Sequence, residues 1–285
     1  MGEDIKSPPV SRRGLLTGAS ALLASWPALG HASARPEGLP STLQARALRI
    51  SMPGFSAPPF FEGEGANVHG FDADLAYGIA EALGVEAQFD RTPGTFDEAV
   101  DRVAQGDADI AVCKLSRTLR RGRVSRYARP YVRLFHGLIT NRVRFAHLAG
   151  RRETEEVVRD FDGVLGVIAS SSFATFAASS FPRARLRAFG DWSEIVAAIR
   201  NEEIDAAYRD DFEIKRLMLE DPSLTVVAQS ITLTDRTDTL AIGVRPDAGH
   251  LLDFVNLYFD LSDLSLPLSA DDILKRFGHG GAESP

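Results

Sequence analysis

GDADIAVCKLSRTLRRGRVSRYARPY, residues 106–131, opens as an apolar run and breaks into hydroxyls and guanidiniums. The run Ile110-Ala111-Val112-Cys113 has the length and content of a buried strand. It stops at Lys114, Ser116 and Thr118, and Arg121 follows three positions after Thr118. In open α/β sheets, small molecules are held in the crevice beyond the carboxyl ends of the strands. Hydroxyls and a guanidinium at that place would hold a carboxylate.

The helix before this strand is announced by a capping box, Thr95-x-x-Glu98. Its apolar positions are Phe96, Val100 and Val103, and Gly106 stops it. The same unit recurs. DWSEIVAAIRNEEIDAAY (191–208) overlays TFDEAVDRVAQGDADIAV (95–112) without a gap, 96 positions later. Asp191 falls on Thr95, Glu194 on Glu98, Val196 and Ile199 on Val100 and Val103, and Asp205 on Asp109. In this register Lys114 falls on Asp210. Two lobes of similar build would then present opposite charges at equivalent strand ends.

Outward from these units the chain alternates strands and helices. Strands are expected at 47–52, 85–89, 134–140, 164–168, 204–208 and 240–244. Asp72 is placed to cap a helix carrying Leu75, Ile79 and Leu83 and ended by Gly84. Ser170-Ser171-Ser172 reads as the N-terminus of an alanine-rich helix reaching Phe181, and 251–261 as a last helix. Residues 142–160 are polar and basic, with no element assigned. Such alternation means an α/β architecture with mostly parallel sheets.

The chain has 285 residues, 44% of them hydrophobic and 25% charged, enough for one large domain or two ordinary ones. A net charge of −7 argues against a general polyanion binder, although Arg117, Arg120, Arg123, Arg126 and Arg129 recur every third residue. That series reads as a solvated face, with Arg121 outside its register. Cys113 is the only cysteine, so an intramolecular disulfide and a cysteine metal site are both excluded. The six histidines, His31 and His279 among them, show no metal-like spacing. No cofactor and no nucleic-acid partner are expected.

Residues 1–34 read as a leader rather than fold. Arg12-Arg13 precede a mildly apolar stretch to Trp26, and Ala32-Ser33-Ala34 is a small-residue cleavage pattern. The paired arginines are twin-arginine-like, with Leu15 and Thr17 where that signal usually has Phe and Lys. No cysteine follows for a lipid anchor. The expectation is a mature chain from about Arg35, exported to the periplasm.

Pro58-Pro59-Phe60, Gly70-Phe71-Asp72-Ala73-Asp74-Leu75, the helix–strand around 106–110, and Thr118-x-x-Arg121 running on to Pro130-Tyr131 come in one order and spacing across the mature chain. With the leader, these residues resemble the periplasmic amino-acid-binding proteins of ABC importers, family 3 of the solute-binding proteins. The resemblance implies a two-lobed periplasmic-binding-protein fold. Lobe one would span 40–139 plus 239–285 and lobe two 143–235, with hinge crossovers near 140–143 and 233–239. It implies a monomer that closes on a small-molecule ligand and passes it to a membrane permease, with no catalysis. It places Arg121 on the ligand α-carboxylate, with Ser116 and Thr118 lining that side and Ser170, Ser171 and Ser172 as the facing turn of lobe two. Asp210 would pair with the ligand ammonium, and Phe96 would wall the side-chain pocket with Phe60 near it.

Three positions depart from the family pattern. Lys114 stands where a small residue is usual, Ser170 where glycine is usual, and Arg129 where an aspartate precedes Pro130-Tyr131. Lys114 would either add a cation to the cleft, suiting an acidic or amide-bearing ligand, or pair with Asp210 on closure and weaken ammonium recognition. Two other functions stand beside transport. Cyclohexadienyl dehydratases, similar to this family, carry a glutamate where Ala174 stands, which argues against that chemistry here. An accessory role to a periplasmic quinoprotein dehydrogenase would suit a degenerate ligand site.

Overall fold

The computed structural model describes residues 39–277, which form one compact unit around two sheets. The leader and the tail carrying His279 lie outside the described residues. Lobe one begins with α1 (Leu39–Ala45), β1 (Ala47–Ser51), α2 (Phe71–Leu83), β2 (Glu86–Asp90), α3 (Phe96–Gln105), β3 (Ile110–Ala111) and β4 (Arg126–Tyr127). The chain crosses on β5 (Val132–Asn141) to lobe two, which has α4 (Arg142–Ala149), α5 (Thr154–Arg159), β6 (Val164–Ile168) and α6 (Ser172–Ser180). There follow β7 (Arg185–Phe189), α7 (Trp192–Arg200), β8 (Ala206–Asp210) and α8 (Asp211–Glu220). It returns on β9 (Ala228–Leu240) to β10 (Gly243–Val244), α9 (Gly249–Leu261) and α10 (Ala270–Phe277).

The sheets run β2-β1-β3-β10-β4 and β7-β6-β8-β5-β9. Three strands of each are parallel: β2, β1 and β3 in one, β7, β6 and β8 in the other. The outgoing crossover β5 and the strand after the return, β10, run antiparallel to them. Both sheets are therefore mixed, with the expected parallel core. The two crossovers pair with each other along the whole of β5, broken by one bulge between Phe135 and His136. Residues 233–239, expected as a hinge, lie inside β9.

The repeated unit is real down to individual atoms. Thr95 accepts from the Glu98 amide, and Glu98 reaches back to accept from Gly94 N. Asp191 accepts from the Glu194 amide, and Glu194 accepts from Gly190 N. Asp109 then ties β3 to β1, accepting from Arg49 N at 3.0 Å and Arg49 Nη2 at 2.7 Å. Asp205 ties β8 to β6, accepting from Val164 N at 2.6 Å and Arg144 Nε at 2.8 Å. Each buried carboxylate thus fixes the first residue pair of a parallel ladder and neutralises its own charge with an arginine. Gly84 and Gly106 end α2 and α3 with φ of 68° and 82°, a conformation that costs glycine least.

Other expectations need correction. Asp72 does not cap α2. The N-cap is Gly70, and Asp72, the second helical residue, is buried in lobe one. The strand 110–113 ladders only at Ile110 and Ala111, although Val112 and Cys113 are fully buried. Residues 142–160 contain two short helices, each burying one apolar side chain, Phe145 and Val157. The edge strand β7 is exposed along most of its length and has no apolar alternation to announce it. Helix α8 begins directly at the end of β8, and its Phe212 belongs to the core of lobe one together with Phe60, Ile110 and Leu251.

Asp109→Ala and Asp205→Ala should each lower the unfolding free energy by about 1–3 kcal/mol, because each leaves a strand amide unpaired and removes the partner of a half-buried arginine. Urea titration checks this, and a change below about 0.5 kcal/mol would remove the ladder role.

Candidate functional site

The ends of β3 and β8 face each other, as the repeat register requires. Beyond β3 the chain turns at Lys114 with φ of 50°, held by its amide donating to Asp72 Oδ2. This aims the Lys114 side chain across to lobe two. Nζ lies 2.5 Å from Glu213 Oε1 and 3.4 Å from Asp210 Oδ2, and 5.0 and 5.2 Å from the ring centroids of Phe60 and Phe212. All three charged residues are buried. Burial opposes ionisation of Glu213, but Lys114, Arg209 and Arg216 together hold its carboxyl well below the usual range. Its second oxygen accepts from Arg216 Nη2 at 2.8 Å. Asp210 caps α8, its Oδ1 accepting from Glu213 N at 2.9 Å.

Two chambers open between the lobes on either side of Ser170 and Ser171. The smaller, about 250 Å³, has Asp97, Thr118, Arg120 and Arg121 on lobe one and Ser170, Ser171, Ser172, Ala174 and Thr175 on lobe two. Arg121 is 4% exposed. It donates Nε to Asp97 Oδ1 at 2.8 Å and Nη1 to Ser116 O at 3.0 Å, leaving Nη2 without a protein acceptor among the described residues. Thr118 Oγ1 accepts from Arg121 N at 3.2 Å. Opposite, Ser171 caps α6 by accepting from Ala174 N, and the first turn of that helix presents its free amides. A carboxylate would meet a guanidinium on one wall and a helix N-terminus on the other.

The larger chamber, about 500 Å³, is walled by Phe55, Phe96 and Trp192, with Lys114, Arg209 and Arg216 among its polar lining. Phe96 meets Phe55 edge-on at 5.2 Å, and Arg209 lies over Trp192 at 5.6 Å. Phe60, Ser116 and Asp210 lie behind the chambers rather than on them. Phe60 is fully buried against Phe212 at 5.4 Å. Ser116 Oγ donates to Asp238 Oδ2 at 2.7 Å and lies 3.0 Å from Ser172 Oγ of the other lobe.

The departures from the family pattern now have local accounts. Ser170 has φ of 56°, where glycine would sit with less strain. Arg129 is a surface residue, paired with Asp260 at 2.6 Å and bonded to Asn256, away from the cleft. Asp97, Arg209, Glu213, Trp192 and Asp238 were not legible as site residues. Asp97 and Glu213 sit in the first turns of helices, where acids are ordinary. Asp238 lies within the crossover strand. Only the repeat could have pointed to Arg209, as the neighbour of Asp210. Among the described residues no group could hold a metal ion, and no helix is long and apolar enough to cross a membrane.

Burial raises two of these carboxyls, Asp72 to about 7 and Asp238 to about 6. Asp72 in the folded chain keeps a proton that the unfolded chain releases between its ordinary value near 4 and about 7. The group therefore takes stability away as pH rises through that window. Asp72→Asn keeps the acceptor for Lys114 N and removes the titration. The melting temperature of the variant, minus that of the wild type, should grow by at least about 3 °C from pH 5 to pH 8. A constant difference would contradict the buried neutral carboxyl.

Residues 48–259 match the family model described as bacterial extracellular solute-binding proteins, family 3. No curated protein matches the chain. Among solved structures, an ancestral amino-acid-binding protein, a precursor of cyclohexadienyl dehydratase, is similar with a TM-score of 0.63 at 20% identity, over 84% of this chain and 98% of that one. A solute receptor for L-cysteine of Neisseria gonorrhoeae has a TM-score of 0.63 at 19% identity, over 84% and 93%. The substrate-binding protein AbpA of an amino acid ABC transporter from Streptococcus pneumoniae, bound to L-arginine, has 0.62 at 20%, over 82% and 94%. At such identities the likeness is one of fold.

Proposed function

The chain belongs to the bacterial extracellular solute-binding proteins of family 3, and from that premise we propose that it captures an amino acid or similar small carboxylate for ABC-type import. The observation that carries this reading is the smaller chamber. A buried guanidinium with one nitrogen to offer faces the N-terminus of α6 across the two lobes. Lobe closure would bring both walls onto the carboxylate, Arg121, Thr118 and the first amides of α6 acting together. The ligand is then handed to a membrane permease. In this reading the protein works as a monomer in the periplasm after loss of its leader.

No proton donor stands at Ala174, which lines the same chamber. The reading is therefore of capture without covalent chemistry. A non-transport accessory role is favoured by one observation, the engagement of Asp210 by Lys114 in place of a ligand.

Both readings are separated by thermal denaturation against a panel of amino acids and small carboxylates. Transport predicts a rise of several degrees at millimolar concentration for at least one compound. It also predicts that Arg121→Ala loses this rise while unfolding cooperatively. No rise across the panel would overturn the transport reading in favour of the accessory one.

A further inference from the structure

The acid pair of lobe two has no oxygen left for a ligand cation. Asp210 Oδ1 accepts from Glu213 N, and its Oδ2 faces Lys114 Nζ and, at 3.6 Å, Arg209 Nε. Glu213 gives one oxygen to Lys114 and the other to Arg216. Neither chamber counts Asp210 among its lining. The Lys114 ammonium therefore stands where a cationic group would otherwise have to be recognised, between two carboxylates and two aromatic faces.

The unsatisfied groups are of the opposite kind. Two residues lining the larger chamber carry buried donors with no hydrogen-bond partner, Trp192 Nε1 and Arg216 Nε, and Arg209 Nε has only its long 3.6 Å contact to Asp210 Oδ2. On the smaller chamber, Arg121 Nη2 makes no hydrogen bond to the described residues. The buried acceptors without partners, Ser51 Oγ, Asp72 Oδ1 and Asp238 Oδ1 among them, belong to residues that line neither chamber. Of the carboxylates that line the chambers, Glu213 is held by Lys114 and Arg216 and Asp97 by Arg120 and Arg121, which leaves only Asp191, the exposed cap of α7. A ligand acceptor finds donors there, whereas a buried ammonium without a partner loses its hydration and gains nothing.

Resting on the receptor reading above, we infer that the ligand is a small carboxylate without an ammonium group, whose second polar end is an acceptor only, an oxo group or a second carboxylate. One end is held at Arg121 and the N-terminus of α6. The other lies toward Trp192 and Arg209, and the body lies against Phe55 and Phe96. Lys114 is the residue that sets this preference.

Matched pairs test it by isothermal titration of the mature protein: 2-oxoglutarate against L-glutamate, and phenylpyruvate against L-phenylalanine. The expected result is that the oxo acid of at least one pair binds at least about 30-fold more tightly than its amino acid. Equal or tighter binding of the amino acids overturns the inference and leaves the receptor reading standing. Binding of neither member of either pair, together with no rise in the wider panel, overturns both. In Lys114→Ser the acid pair is freed, and the preference should shrink at least about tenfold through a gain in amino-acid affinity. A preference unchanged in that variant would remove Lys114 as its cause.

Discussion

A single ammonium, Lys114 Nζ, lies buried between the carboxylates of Asp210 and Glu213 and between the rings of Phe60 and Phe212. Lys114 comes from lobe one, and both acids come from lobe two. Taking three charges out of water costs several kcal/mol each, and their mutual attraction offsets this only with good geometry and further hydrogen bonds. Those bonds are present: the cap of α8, the Arg216 contact to Glu213, and the Asp72 side chain that fixes the Lys114 backbone. Phe212 completes the junction by entering the core of lobe one.

This bridge divides the cleft. On one side it leaves a chamber between Arg121 and the N-terminus of α6, and on the other an aromatic chamber bordered by guanidiniums. In the family to which the chain belongs, closure of two lobes on a ligand is the working motion implied by the fold. Here part of the attraction between lobes is supplied by the chain itself. Under the proposed receptor reading, a ligand would add to closure through Arg121, the α6 amides and the donors near Trp192, rather than through the acid pair.

Much of this is legible in the sequence. The 96-residue repeat placed Lys114 opposite Asp210 and assigned Asp109 and Asp205 equal roles, because caps, burial and strand starts leave marks at fixed spacing. Arg121 and the Ser170–Ser172 turn, which line one chamber together, are legible as polar residues that follow buried strands. What was not legible depends on packing between distant elements. Asp72 looks like a cap by sequence, and only its burial against Lys114 shows otherwise. Glu213 looks like an ordinary first-turn acid. Its role follows from α8 starting at the strand end, which turns the side chain toward the other lobe. The edge strand β7 carries no alternating pattern, since most of it faces solvent.

The most direct measurement is a double-mutant cycle on the bridge. Lys114→Met, Glu213→Gln and the double variant are compared with the wild type by urea unfolding without added ligand. A junction in which each charge is buried against the other gives a coupling energy of at least about 2 kcal/mol. A coupling below about 0.5 kcal/mol, the level of an exposed pair, would contradict the account.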